Sequence, residues 1–410
     1  MRARVLVTAF GLPAAACALW TIVAGKDLNW DLLNYHYYLP YELLAGRLGQ
    51  DFYAASAQSY LNPLGYVPFY FMLSAGWHSV VASIALALAH SVNLALLFLI
   101  SWKLFAHLPD VERASFAGMA AALGGATAVF WATVGTSFLD PLLAVAVLAG
   151  LLLLVEPRPD FVRRAGAAGV LFGTAAALKY SNAIYAVAAL PLVLMPPQSG
   201  LRARARALLA YGAGGTLAVA LLAGPWMVML YREMGNPVFP LLNGWFHSPY
   251  APPLNTTSSR FAPVSLAEAL MLPLRMALLD RGLYSEIFAP DLRFAALAAG
   301  GFALLVPPWP TAERPFRAVD WRFFVFFGAA LAVWLATSAN ARYGMPVLLL
   351  VGIALTRVVE RRSAPSLARV LLATLLVVQA TVCLLAAPPR WFIAAPWSRH
   401  WLAFDVPERA

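Results

Sequence analysis

Eleven apolar stretches follow one another along the chain, at about residues 5–24, 79–102, 115–132, 140–155, 166–179, 182–197, 207–230, 294–309, 322–338, 343–358 and 369–387. A helix crossing a bilayer needs about 20 mostly apolar residues, and inside hydrocarbon only helices and closed barrels satisfy their own backbone. The stretches do not alternate apolar with polar residues, which excludes a β-barrel. Only 12% of the residues are charged, against about 25% in a soluble domain. That is too little charge to cover a water-facing surface of this size. A soluble enzyme, a disordered chain and a secreted disulfide scaffold are thereby excluded. The expected fold is a single all-α polytopic membrane domain over residues 1–410, a bundle of about 11 transmembrane helices. Residues 166–179 and 182–197 are short and form one apolar block around Lys179, readable as two spans or as one. The stretch 64–77 begins with Pro63, Gly65 and Pro68 and reads as an interfacial helix. The first stretch has too long an apolar core for a cleaved signal, and no small-x-small site follows it. Cys17 and Cys383 lie inside apolar stretches and read as small buried hydrophobes.

Alternating the loops from a cytoplasmic N-terminus sorts the charge. The N-terminal side holds 17 Lys and Arg against 7 acids, so the whole formal net charge of +10 falls there. The opposite side is neutral and holds the two long loops, 25–78 and 231–293, with the short tail 388–410. This is the positive-inside pattern. The Arg202–Arg206 run is then an orientation signal, and no nucleic-acid partner is needed to explain the basic balance. An Arg-rich, Ala-rich composition points to a bacterial inner membrane, where the Asn255-Thr-Thr257 sequon is a chance match. Two long external loops rich in Trp, Tyr, Asn and Asp place recognition or chemistry outside. No nucleotide-binding glycine loop or Walker motif is present, so energy or activated substrate has to come from the membrane or from an ion gradient.

The first long loop is the most informative. On a helix over 31–49, Asp31, Tyr35, Tyr38 and Glu42 share one stripe, and Leu32, Leu33, Leu43 and Leu44 fall away from it. This pattern predicts an amphipathic helix on the membrane surface with an acidic and aromatic face. Asp27 lies one turn earlier, and Pro40 interrupts the pattern after Leu39. Aromatic rings beside carboxylates suit a sugar, the rings covering its C–H face and the acids taking its hydroxyls. The same residues also fit an interfacial aromatic belt with an aspartate as helix cap.

An acidic residue just after the first span, in the pattern Asp31-x-x-x-Tyr35 with a downstream Gly46-Arg47, resembles the first loop of the GT-C superfamily. These membrane glycosyltransferases use a polyprenyl-phosphate-linked sugar and include protein O-mannosyltransferases and aminoarabinose transferases. Further segments are similar to family segments in the same order: Asn62-Pro63-Leu-Gly-Tyr66, Ser137-Phe-Leu-Asp140-Pro, Gly173-Thr-Ala-Ala-Ala-Leu-Lys179-Tyr, Gly235-Asn-Pro-Val-Phe-Pro240 and Asn340-Ala-Arg342-Tyr343-Gly-Met-Pro346. Two departures stand out. The paired Asp-Glu of the protein mannosyltransferases is missing, and only a short tail follows the last span, which argues against an oligosaccharyltransferase or a peptide-binding type.

Ionisable groups in or beside spans are functional candidates. Asp140, Lys179 and Arg342 all fall where an apolar stretch meets the external side, at the depth of Asp31. Read singly, Asp140 fits a helix cap, Lys179 a snorkelling side chain and Arg342 a helix-end anchor. Read with the resemblance, they imply inverting transfer from a polyprenyl-phosphate sugar to a glycan, lipid or protein acceptor. Asp31 would be the general base, with Asp140 orienting the acceptor or Arg342. Arg342, then Lys179, would hold the leaving phosphate. Asp27, Tyr35, His36, Tyr38, Glu42 and Tyr343 complete the expected substrate-binding set. No cofactor is required and no metal motif is present; His36 and His247 otherwise read as aromatic-cluster or surface histidines. The competing class is a transporter or lipid-linked glycan flippase, which calls for midplane polar groups, broken helices and an internal repeat. An O-antigen ligase or polymerase also handles lipid-linked sugars, but its main external loop is expected late in the chain.

Overall fold

The computed structural model describes residues 3–197, 200–255, 260–278, 280–303 and 315–402. Its helices in chain order are α1 (Ala3–Ala24), α2 (Tyr38–Leu44), α3 (Val67–Ser74), α4 (Ser79–Leu104), α5 (Asp110–Gly125), α6 (Ala128–Thr133), α7 (Asp140–Leu154), α8 (Phe161–Leu178) and α9 (Ala183–Ala188). They continue as α10 (Leu190–Val193), α11 (Leu201–Leu222), α12 (Gly224–Met234), α13 (Asn243–Phe246), α14 (Leu266–Arg275), α15 (Arg293–Ala303), α16 (Ala318–Thr337), α17 (Met345–Arg362) and α18 (Pro365–Ala386). Each of the eleven apolar stretches carries helix where described; residues 304–309 of the eighth, Thr256 and Thr257 of the sequon, and 403–410 of the tail lie outside the described residues. Among the described residues five helices, α1, α4, α11, α16 and α18, are long and apolar enough to cross a membrane. The chain is a multi-pass helical membrane protein.

Several stretches read as single helices are broken, each for a local reason. The stretch 115–132 stops after Gly124-Gly125 and restarts at Ala128. At the stop the Leu123 and Gly124 carbonyls accept bonds of 2.7 and 2.8 Å from the buried Arg293 guanidinium, and Leu123 also takes the Ala126 N–H at 3.2 Å. The stretch 207–230 breaks at Gly224-Pro225, because proline lacks the N–H that would continue the ladder. The block around Lys179 resolves into two segments. Helix α8 ends at Leu178, Lys179 is extended, and a 3-10 turn over Tyr180–Asn182 leads into α9 and α10.

Broken ends inside a membrane domain need polar partners, and long side chains supply them. Asn62 donates to the Ala177 and Leu222 carbonyls, both at 2.9 Å, pinning the first long loop to the ends of α8 and α11. Arg390 reaches the Thr21, Gly25 and Val134 carbonyls and folds the C-terminal tail over the end of α1. Lys26 and Asp27 then pair antiparallel with Ala395 and Ala394. At the opposite end of the bundle Arg322 caps the Leu154 and Leu192 carbonyls, and Arg357 pairs with Asp320 and Glu360 in full burial. Helices α8 and α11 cross so closely that a Cβ on Gly169 would lie 2.1 Å from the Tyr211 carbonyl oxygen, the small-residue packing of membrane helices.

The first long loop departs from the regular helix expected of it. Asn29 accepts from the Leu32 N–H (2.7 Å) and starts the turn, but Leu32–His36 is a π-helical turn ahead of α2. The wider turn shifts the phase, so Tyr38 and Glu42 leave the stripe that Asp31 defines. Leu32 turns inward and is buried. Helix α2 ends on Gly46, whose φ of +64° is left-handed; Arg47 N donates back to the Glu42 carbonyl (2.9 Å) to close it.

Candidate active site

Four charged side chains that are distant in the chain meet at the end of the bundle that carries the long loops. Asp31 comes from the π-helical turn, Asp140 from the first turn of α7, Lys179 from the break after α8, and Arg342 from the turn before α17. They form two ion pairs. Arg342 Nη1 lies 2.5 Å from Asp31 Oδ2, and Lys179 Nζ lies 2.6 Å from Asp140 Oδ1. The Asp31 and Arg342 side chains are 13% and 12% exposed.

Arg342 is held from several sides. Its backbone N–H donates to Asn340 Oδ1 (3.0 Å), and its guanidinium lies over the Phe138 and Trp391 rings, 4.7 and 5.4 Å from their centroids. Nη2 is 3.7 Å from Glu286, which also accepts from Asn340 Nδ2 at 3.4 Å. Burial works against the Arg342 charge, but Asp31 first, then Asp140 and Glu286, hold its pKa well above the usual value. Burial likewise pushes the Asp31 carboxyl up, but the Arg342 and Lys179 cations together outweigh it, and Asp31 ends below the ordinary carboxylate range. Asp31 is therefore an ionised carboxylate engaged with a cation.

Aromatic rings wall this group. His36 stacks on Tyr66 (centroids 4.5 Å apart), and Tyr35 packs edge-on against both. His36 Nδ1 is 2.7 Å from Ser137 Oγ, and burial pushes its pKa down to about 3, which leaves the ring neutral. Burial raises Tyr66 well above the usual phenol, and Asp140 and Asp31 add to the rise. The Tyr343 ring faces Lys179 Nζ at 4.9 Å, while its carbonyl accepts from Tyr185 at 2.6 Å.

Three expected residues lie elsewhere. Tyr38 donates to Asp51 (2.7 Å), and Arg47 grips the same carboxylate at 2.5 and 2.7 Å. Glu42 is fully buried beside this trio, and burial, then Asp51, pushes its pKa up to about 7. These groups make a second cluster, separated from Asp31 by the change of phase. Asp27 is buried in the ladder with the tail, its carboxylate taking Asn29 Nδ2 (2.6 Å) and the Phe392 N–H (3.4 Å). It ties loop to tail. Glu286, Phe138, Tyr66 and Trp391 complete the site and were not assigned from sequence. Tyr66 closes the quoted Asn62-Pro63-Leu-Gly-Tyr66 segment and was within reach; Glu286 and Trp391 sit in irregular segments with no pattern to mark them. Among the described residues no three His, Cys, Asp or Glu side chains are grouped to hold a metal. His247 is exposed.

The fold that carries this loop-covered acid and cation centre has a counterpart among solved structures. The likeness is to the crystal structure of ArnT from Cupriavidus metallidurans bound to undecaprenyl phosphate, with 16% sequence identity and a TM-score of 0.50, over 93% of this chain and 71% of that one. No family model and no curated protein matches the chain.

Proposed function

We propose that the protein is an inverting glycosyltransferase that moves a sugar from a polyprenyl-phosphate donor to an acceptor hydroxyl on the external face of the bacterial inner membrane. The observation that carries this reading is the Asp31–Arg342 ion pair at the loop-covered end of a GT-C fold. It supports reading Asp31 as a carboxylate base beside Arg342 as a bidentate phosphate partner. The lipid phosphate seen with ArnT supports the donor class. In the reaction the acceptor oxygen bonds to the anomeric carbon and its proton passes to Asp31. The bond to the phosphate oxygen breaks on the opposite face, and that oxygen leaves with the electron pair.

The pairing implies an order of events. A carboxylate held by a guanidinium is a poor base. A donor phosphate competes for the same N–H groups, while Glu286 keeps Arg342 in place at 3.7 Å. Donor binding thus loosens Asp31 from its cation and restores its basicity as the substrate arrives. Lys179, neutralised by Asp140, is the second cation at the phosphate, and Asp140 orients the acceptor.

Purified protein given a panel of labelled undecaprenyl-phosphate sugars is expected to release undecaprenyl phosphate when acceptor glycolipids are added. Movement of label across liposomes without release would establish the transport class instead. Orientation has its own test. In a background lacking Cys17 and Cys383, a cysteine replacing the exposed Ser56 is expected to react with an impermeant thiol reagent in intact cells, and one replacing the exposed Ser366 is not. The reverse labelling would put the site in the cytoplasm.

A further inference from the structure

Beside the Lys179–Asp140 pair the interrupted helix leaves a cavity of about 120 Å³ between the first loop, the turn after α8 and the second loop. That is many times the space of about 10–15 Å³ that one water requires, enough for a compact polar group. Leu61, Ala177, Leu178 and Leu241 make most of its wall, with Tyr66 and Tyr180 adding rings. Two hydroxyls of lining residues, Tyr180 Oη and Ser181 Oγ, are buried without a hydrogen-bond partner, as is Asp140 Oδ2 at the pair next door. Buried polar atoms are almost always satisfied. Two orphans lining one cavity, with a third beside it, suit a ligand with hydrogen-bonding groups of its own.

We infer that this cavity is the subsite for the donor's glycosyl ring, whose hydroxyls bond Tyr180 Oη and Ser181 Oγ. The inference rests on the transfer reading above and adds a place for the sugar. A phosphate suits the cavity poorly. Lys179 is already held by Asp140 at 2.6 Å, whereas Arg342 keeps a buried guanidinium N–H, at Nε, without a hydrogen-bond partner. Hydroxyls both donate and accept, so Tyr and Ser hydroxyls complement sugar hydroxyls in either sense. The apolar wall and rings match the C–H face of a pyranose. Lys179 belongs to both places: its backbone shapes the cavity and its ammonium reaches Asp140. The ring would then sit within reach of the group that holds Asp31.

The test separates sugar from lipid phosphate. Affinity of the purified protein in nanodiscs is measured for undecaprenyl phosphate and for a panel of its hexosyl and pentosyl conjugates. Ser181→Ala and Tyr180→Phe are compared with wild type, with thermal unfolding as the control for folding. Wild type is expected to bind at least one conjugate more tightly than the bare lipid phosphate. Each variant is expected to lose about tenfold for that conjugate and to bind the bare lipid unchanged. Equal losses for both lipids would make the cavity a phosphate site and overturn the inference. So would unchanged affinity for both, or a wild type that prefers no conjugate. A wild type that binds neither lipid would remove the transfer reading itself, a separate outcome from a failure of the subsite alone.

Discussion

Asp31→Asn is expected to abolish sugar transfer while the protein still inserts, folds and binds its donor. The amide keeps the size and shape of the carboxylate but has no basic oxygen. Losing a positioned base costs about 10²–10⁴-fold in rate. The site geometry adds a sharper signature. Arg342 is the partner that Asp31 now holds at 2.5 Å, and the substitution frees its guanidinium for the donor phosphate. The donor Kd should therefore stay level or fall while kcat collapses, a split that mere misfolding would not produce. Stability should drop only modestly, since Arg342 keeps Glu286 and its two ring contacts. Single-turnover transfer measured beside equilibrium donor binding decides the matter. Retention of more than about a tenth of wild-type turnover, far above the expected residue of activity, would remove Asp31 as the base. Asp27→Asn serves as the control. Its carboxylate sits in the loop–tail ladder with Asn29 and Phe392, so the change should loosen that clamp without removing the base.

How far such a site can be read from sequence depends on the kind of regularity behind each residue. Asp31, Asp140, Lys179 and Arg342 lie at edges of apolar stretches, and an edge fixes depth in a membrane domain. Depth was therefore legible, and all four do meet at one end of the bundle. Who touches whom was not. Asp31 and Arg342 are 311 positions apart, and no periodicity reports a contact of that range. The helical wheel failed for Tyr38 and Glu42 because it assumes a constant turn, and a five-residue π turn over Leu32–His36 breaks that assumption. The continuity of the stretches was legible only in part. The break at Lys179 was open in the sequence, where 166–179 and 182–197 read as two spans or one, but those at Pro225 and Ala126–Thr127 were not, and the second of these has Arg293 reaching over from a distant segment to the carbonyls at the stop. Hydropathy cannot see that compensation. Glu286 and Trp391 were illegible for the same reason: each acts on Arg342 from an irregular segment that packing alone positions.

Arg342→Lys is the complementary change, and it should damage donor use more than it damages the fold. Alanine would be uninformative here. It would leave Asp31, whose side chain is only 13% exposed, without its cation, and breaking a buried pair from one side costs about 3–5 kcal/mol. Lysine keeps the charge between Asp31 and Glu286. What it loses is the planar fork that can bond one oxyanion through two N–H groups, and the flat face that rests on Phe138 and Trp391. A phosphate gaining charge in the transition state feels that loss most, because removing one such donor costs about 10²–10³-fold in kcat. With the charge retained, kcat/KM should fall about 10²-fold, through a weaker donor Kd as well as a slower chemical step. This is the opposite of the Asp31→Asn signature, in which donor affinity is kept. The two variants measured side by side thus assign the roles without reference to any relative. If Arg342→Lys binds bare undecaprenyl phosphate as tightly as wild type and slows only the chemical step, the guanidinium does not hold the ground-state phosphate. Lys179, already placed beside Asp140 at 2.6 Å, would then be the phosphate's cation, leaving Arg342 to hold Asp31 in its ionised form.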